Sequence, residues 1–149
     1  MQNETTAKPF RILIADDDFE DFLLIKTTFE TNDLNNVHLS HVEDGQYLID
    51  ILKAQGKYNK FGELPNLILL DLNMPRKNGF DVLKEIKENE QLRKIPIIIF
   101  TTSKSNRDIE KAYELGANCY ISKPQTVEDW TEVIHIMGKF WIQCVKLAI

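Results

Sequence analysis

The sequence predicts an α/β protein: a doubly wound, five-stranded parallel sheet with helices on both faces. Three observations predict it. Five short apolar runs alternate with segments of helical periodicity. The runs are apolar throughout, as parallel strands buried on both faces should be. Four of them end on residues that carry chemistry: Asp16-Asp17-Asp18, Asp71, Thr101-Thr102 and Lys123-Pro124. A strand that buried cannot continue through a carboxylate. Asp71, which ends Leu67-Ile68-Leu69-Leu70, should therefore emerge at the C-terminal edge of the sheet. Open α/β sheets bind ligands there.

The elements follow in order. Residues 1–9 read as a polar, flexible N-terminal arm. Residues 10–15 form a buried strand. Asp18 can cap a helix over about 19–31, with Phe22, Ile25 and Phe29 at helical spacing. Val37, Leu39 and His41 alternate with polar neighbours, a strand with one less buried face. Asp44 caps a short helix carrying Leu48, Ile49 and Leu52, and residues 54–65 form a polar loop. The third strand is 66–70. The turn 71–79 closes at Gly79, which is expected to supply an unusual backbone angle. A helix then runs to about 89 through Val82, Leu83 and Ile86. Pro96 opens a strand over 96–100. Asp108–Leu115 is a short helix stopped by Gly116. The fifth strand is 118–121, and the last helix covers 126–146. With right-handed crossovers the strand order is 2-1-3-4-5, so strands one and three flank the switch point. That order brings Asp16, Asp17 and Asp71 into one crevice.

Composition narrows the function. A chain of 149 residues is one domain by length and needs no disulfide staples. Its 43% hydrophobic and 28% charged residues are ordinary for a globular chain. The net charge of −5 argues against a nucleic-acid or anionic-membrane surface. Cys119 reads as a small core residue, and Cys144 carries no signal. His38, His41 and His135 lack metal spacing and read as surface or edge residues. No signal peptide and no apolar run of membrane length is present, so a cytoplasmic location is expected.

Three carboxylates in one crevice repel. At about 4 Å and an effective dielectric near 20, two unit charges cost about 4 kcal/mol. A divalent cation relieves this. The nearby donors are hard oxygens, which select Mg²⁺, with Mn²⁺ able to substitute, over zinc. Asp71 is then free to act as a nucleophile. Lys123 would neutralise phosphoryl oxygens, and Thr101 would donate a hydrogen bond to another. Singly these signals have plain readings as a solvated cap, a turn residue and a loop. Their joint occurrence at four strand ends points to metal-assisted phosphoryl chemistry.

The chain resembles a response-regulator receiver domain of two-component signalling. The resemblance rests on Ile-Leu-Ile-Ala-Asp16-Asp17-Asp18, on Asp71-Leu-Asn73-Met74-Pro75 with Gly79 eight residues after Asp71, on Thr101-Thr102-Ser103, and on Tyr120-Ile121-Ser122-Lys123-Pro124. Thr101 lies 30 residues after Asp71, and Lys123 lies 22 after Thr101. The resemblance covers about 10–143 and implies a flavodoxin-like receiver fold, with residues 10–149 as a receiver domain and its C-terminal helix extension. It implies that Asp71 accepts a phosphoryl group from a phosphohistidine on a sensor histidine kinase. It also implies Asp17 and Asp71 as direct metal ligands, Asp16 acting partly through water, and Asn73 through its backbone carbonyl. Thr101 and Tyr120 would be a switch pair and Lys123 the phosphate-reading cation. Thr102 and Ser103 depart from the commonest pattern beside the path of an attacking water, which leaves the dephosphorylation rate open. The segment 54–65, the run from Ile95 to Ser103 and the pair Phe140-Trp141 resemble the stand-alone, chemotaxis-regulator-like regulators of bacterial phytochrome kinases.

The expected function is a single-domain regulator that switches a protein-interaction face. It is not an enzyme for an outside substrate, beyond promoting its own phosphorylation and dephosphorylation. No output domain fits after residue 125, so output is expected through protein contacts. An aspartyl-phosphate phosphohydrolase is the rival reading. Such enzymes commonly use a second Asp two residues after the nucleophile, and Asn73 stands there. A receiver that binds partners without phosphate is a third reading, disfavoured by the complete acidic, Thr and Lys set. The final helix spreads its apolar residues over about 180°, against the stripe of about 100° a surface helix needs. The surplus edge of Val133, Ile136 and Phe140, continued by Leu147, predicts a homodimer through the helix 4–strand 5–helix 5 face.

Overall fold

The apolar runs become strands because each can bury both faces. A computed structural model describes residues 8–57 and 64–148. The strands are β1 (Phe10–Ala15), β2 (Val37–Val42), β3 (Leu67–Leu70), β4 (Ile97–Thr101) and β5 (Cys119–Ser122). All pairings are parallel, in the order β2-β1-β3-β4-β5 that the sequence predicts. The helices are α1 (Phe19–Thr31), α2 (Gly45–Lys57), α3 (Gly79–Glu88), α4 (Asn106–Glu114) and α5 (Val127–Lys139), followed by a π-helical turn, Phe140–Cys144.

Alternate strand residues point to opposite faces, and the two cores follow that period. Leu13, Ile68, Leu70, Ile97 and Ile99 pack against Leu48, Ile49 and Leu52 of α2, Val82, Leu83 and Ile86 of α3, and Ala112 of α4. Ile12, Ile14, Leu67, Leu69, Ile98 and Phe100 pack against Phe22, Ile25 and Phe29 of α1 and Trp130, Ile134 and Met137 of α5. The central strands β3 and β4 are buried along their whole length, while β2 is an edge.

Several expectations shift. α2 runs to Lys57, into the segment read as a loop; residues 58–63 of that loop, and residues 1–7 of the arm, lie outside the described residues. α4 begins at Asn106, not Asp108, because the Ser105 hydroxyl accepts the Asp108 N–H and caps the helix. α5 does not continue to 146. The Val145 N–H reaches the Phe140 carbonyl across a widened turn, and Val145 is already extended. Leu147 therefore lies beyond the helix. Cys119 is half-buried at the margin of the α1/α5 core instead of inside it.

Gly79 is needed for space, not for a positive φ. A Cβ there would stand 2.4 Å from the Asp71 carbonyl oxygen and 2.7 Å from the Leu72 Cα. Its N–H bonds the Leu72 carbonyl at 2.9 Å, so the start of α3 presses on the backbone after β3. The left-handed residue of this turn is Arg76, at φ 64°, and its side chain pairs with Asp44 at the start of α2. Lys77 and Lys53 both pair with Glu85 of α3. Among the described residues, no helix is long and apolar enough to cross a membrane.

Candidate phosphoacceptor site

The C-terminal ends of β1, β3, β4 and β5 converge. Asp16 follows β1, and its N–H continues the ladder to the Val42 carbonyl. Its carboxylate accepts the Asp18 N–H at 2.8 Å, and Asp18 caps α1 by accepting from Glu20 and Asp21. Asp71 follows β3. Its N–H bonds the Ala15 carbonyl, and its carboxylate accepts the Asn73 N–H at 3.2 Å. Buried Leu72 and Met74 pin the loop on either side of exposed Asn73. Carboxylate oxygens of Asp16, Asp17 and Asp71 lie within 4.8 Å of one another, with Asp17 exposed and the other two buried.

Lys123 lies among them. Its N–H bonds the Thr101 carbonyl at 2.7 Å, which fixes the turn after β5 against the end of β4. Its ammonium donates to Asp16 at 2.7 Å, to Asp21 at 2.7 Å and to Asp71 at 3.0 Å. An ammonium has three protons, so all three are used. Burial alone would lower the Lys123 pKa, but hydrogen bonds to Asp16 and Asp21 and the charges of Asp16 and Asp71 outweigh it, so the group is held charged. The crevice thus carries an internal counter-ion, which the sequence argument did not foresee. Four carboxylates, from Asp16, Asp17, Asp21 and Asp71, still outnumber one cation. Burial pushes the Asp16 pKa up to about 6 and the Asp71 charge adds to that, while Lys123 and the Asp18 N–H offset part.

At the end of β4, Thr101 is fully buried, and its hydroxyl has no hydrogen-bond partner among the described residues. Such a group costs on the order of 1–3 kcal/mol. Tyr120 on β5 is half-buried and donates its hydroxyl to the Ser103 carbonyl at 3.0 Å. Burial raises its pKa despite that bond, with Asp108 and Asp71 adding, so it remains a donor. The same carbonyl accepts from Ser122, and the Ser103 hydroxyl donates to Asp108 at 2.6 Å. The expected site residues Asp16, Asp17, Asp71, Asn73, Thr101, Tyr120 and Lys123 thus gather at one sheet edge.

Three residues of this edge escaped the sequence argument. Asp21 reaches Lys123 from α1. Ser122 joins the Ser103 carbonyl. His41 was read as an edge residue and sits on β2, but its Nε2 also lies 2.7 Å from the Asp16 carbonyl and its ring stacks on Phe22 at 4.6 Å. A carbonyl only accepts, so Nε2 carries the proton. The one available signal for Asp21 was its place in the first turn of α1, which reads equally well as a favourable helix-dipole charge.

The response regulator receiver domain family matches residues 12–135. The chain belongs to this family. The response regulator Rcp1 of Synechocystis sp. is 37% identical over 139 residues, 93% of each chain. The phosphorylated cyanobacterial phytochrome response regulator RcpA has a crystal structure similar to this one, with a TM-score of 0.86 and 32% identity over 95% of this chain and 99% of that one. The Mn²⁺-bound form of Rcp1 gives 0.82 and 35% over 95% of this chain and 100% of that one. The receiver fold, and kinship with phytochrome response regulators, are therefore features of this chain.

The raised pKa of Asp16 sets a pH dependence. A carboxyl that holds its proton more tightly in the fold contributes stability that is complete below its ordinary value, 3.8, and lost as pH rises through about 6. In chelator, that loss is about 2 kcal/mol between pH 4 and 7. Asp16→Asn should remove it and should be the more stable protein at pH 7 by urea denaturation, while binding Mg²⁺ more weakly. A variant less stable than wild type in chelator at pH 7 would mean that Asp16 serves as a structural cap.

Proposed function

We propose that this chain is a cytoplasmic, phosphorylation-switched response regulator in which Asp71 accepts a phosphoryl group from a phosphohistidine of a sensor histidine kinase. The observation that carries the reading is the combination at one edge. A buried nucleophilic carboxylate, a buried ammonium and a buried hydroxyl without an acceptor among the described residues face the place where phosphoryl oxygens would sit. Kinship with phytochrome response regulators supports a phytochrome as that kinase. The net charge of −5 supports a protein partner over nucleic acid or membrane.

The donor set fits a hard divalent cation: Asp16, Asp17 and Asp71, with the Asn73 carbonyl. Mg²⁺, or Mn²⁺ in its place, would screen charge on the transferring group. The chain's own residues do the rest. An Asp71 oxygen bonds phosphorus as the P–N bond breaks, and the electron pair stays on the imidazole nitrogen. The charge lost from the carboxylate passes to the departing nitrogen and is neutralised by the proton on the other imidazole nitrogen, so neutral histidine leaves. The phosphoryl oxygens then carry the charge beside Lys123, and the N–H that bonded Asp71 turns to one of them. The Thr101 hydroxyl donates to another phosphoryl oxygen. Two residues on, the Ser103 carbonyl holds Tyr120, so movement of Thr101 alters the β4–α4 loop and the Tyr120 ring together. This is a two-state shift biased by contacts made only with phosphate. Water attack on phosphorus breaks the bond to the Asp71 oxygen, releases inorganic phosphate and returns the carboxylate. Asn73 in place of a second acid supports a switch over a phosphohydrolase.

The test uses acetyl phosphate and Mg²⁺. Wild type should gain one hydroxylamine-labile phosphoryl group, and Asp71→Asn none. Equal labelling of the variant would contradict the assignment.

The α4–β5–α5 face also supports pairing of two copies. Ile136 is 59% exposed and Phe140 54% exposed, and the chain beyond Val145 leaves them uncovered among the described residues. Light scattering over a dilution series should show a dimer that Phe140→Asp breaks without loss of Asp71 labelling. A strict monomer at about 100 μM, with and without trifluoroberyllate, would contradict pairing at the micromolar strength expected of such a contact.

A further inference from the structure

We propose that Asp21 is a positioning residue: it anchors the Lys123 ammonium while the other two partners of that ammonium are taken up by the reaction. This rests on Asp71 being the phosphoryl acceptor. The three bonds of Lys123 are not equivalent. Asp71 is the group that becomes esterified, and Asp16 belongs to the set of oxygens suited to a cation. Asp21 is in neither class. It sits in the first turn of α1, and its carboxylate is outside the oxygen cluster of Asp16, Asp17 and Asp71. Yet its Oδ2 is 2.7 Å from the ammonium, as short as the Asp16 bond and shorter than the Asp71 bond.

Loading the crevice changes what surrounds Lys123. A cation among Asp16, Asp17 and Asp71 repels the ammonium and draws on the same oxygens. Phosphorylation removes the charge of the Asp71 carboxylate. Asp21 is the carboxylate whose charge and place are unaltered by either event. It therefore gives the ammonium a fixed point from which one proton can turn to the phosphoryl group. Its backbone is fixed in turn, because the Asp21 N–H is held by the Asp18 cap. The plain alternative is that Asp21 only favours α1 as a first-turn acid. Glu20, its neighbour in the same turn, has the same charge and no bond to Lys123, and so separates the two.

Two readouts test this in the full-length protein. The first is the ¹H–¹⁵N signal of the Lys123 ammonium, which is slow to exchange when every proton is bonded. The second is the rate at which acetyl phosphate labels Asp71 at fixed Mg²⁺. Wild type should show the ammonium signal in chelator and again with Mg²⁺ and trifluoroberyllate. Asp21→Asn should lose it in the loaded state and label about tenfold more slowly, the size of one charge-assisted hydrogen bond. Asp21→Glu should recover part of both, and Glu20→Gln should match wild type. Either effect without the other, or equal effects in Glu20→Gln, overturns the proposal. Failure of wild type to label at all contradicts the acceptor assignment instead, and the ammonium signal in chelator still reports on Asp21 by itself.

Discussion

A single buried ammonium holds the candidate site of this protein together. Lys123 lies among carboxylates that come from β1, α1 and β3, and it is the only cation of that crevice among the described residues. Removing one partner of a buried ion pair typically costs about 3–5 kcal/mol, because the other charge is left unpaired. Here one ammonium serves three carboxylates, so the cost is concentrated in one side chain. The arrangement is also unbalanced: four carboxylates face one ammonium, and burial, with a smaller addition from the Asp71 charge, raises the Asp16 pKa. A crevice in that condition has an unmet demand for positive charge. That is the physical reason a divalent cation suits it.

Topology makes this contact available. In the order β2-β1-β3-β4-β5, Lys123 must reach past β4 to meet residues after β3 and β1. Two strand spacings, about 10 Å, separate β5 from β3, and three, about 14 Å, separate it from β1. A long lysine stem directed inward and short aspartates directed toward it close that gap. The bond between the Lys123 N–H and the Thr101 carbonyl aims the stem, and the missing Cβ of Gly79 lets α3 press against the backbone that carries Asp71. Between them, on β4, Thr101 offers a hydroxyl that is unpaired among the described residues. Tyr120 and Ser103 connect that edge to β5 and the loop before α4, and Ile136 of α5 and Phe140 just after it are exposed.

The strands could be read from the sequence because parallel strands buried on both faces leave an unbroken apolar signature. Leu67–Leu70 and Ile97–Phe100 show it plainly. The gathering of the candidate site residues was readable because polar groups at the ends of such runs have one edge to occupy. What escaped depends on geometry that composition does not carry. The start of α4 turned on one hydroxyl of Ser105 finding one N–H. The end of α5 turned on a π-helical turn, which no apolar period signals. The role of Gly79 required knowing how close two backbones come. The partnership of Asp21 with Lys123 spans 102 residues, and nothing local distinguishes that aspartate from a helix-dipole acid.

The central claim is that the Lys123 ammonium is the counter-ion that keeps the acidic crevice folded before any cation binds. Urea denaturation of Lys123→Met against wild type, at pH 8 in chelator and then in saturating Mg²⁺, tests it most directly. The account predicts a loss of about 3 kcal/mol in chelator and a clearly smaller gap in Mg²⁺. A variant as stable as wild type in chelator would show that the carboxylates do not depend on Lys123, and the account would be wrong.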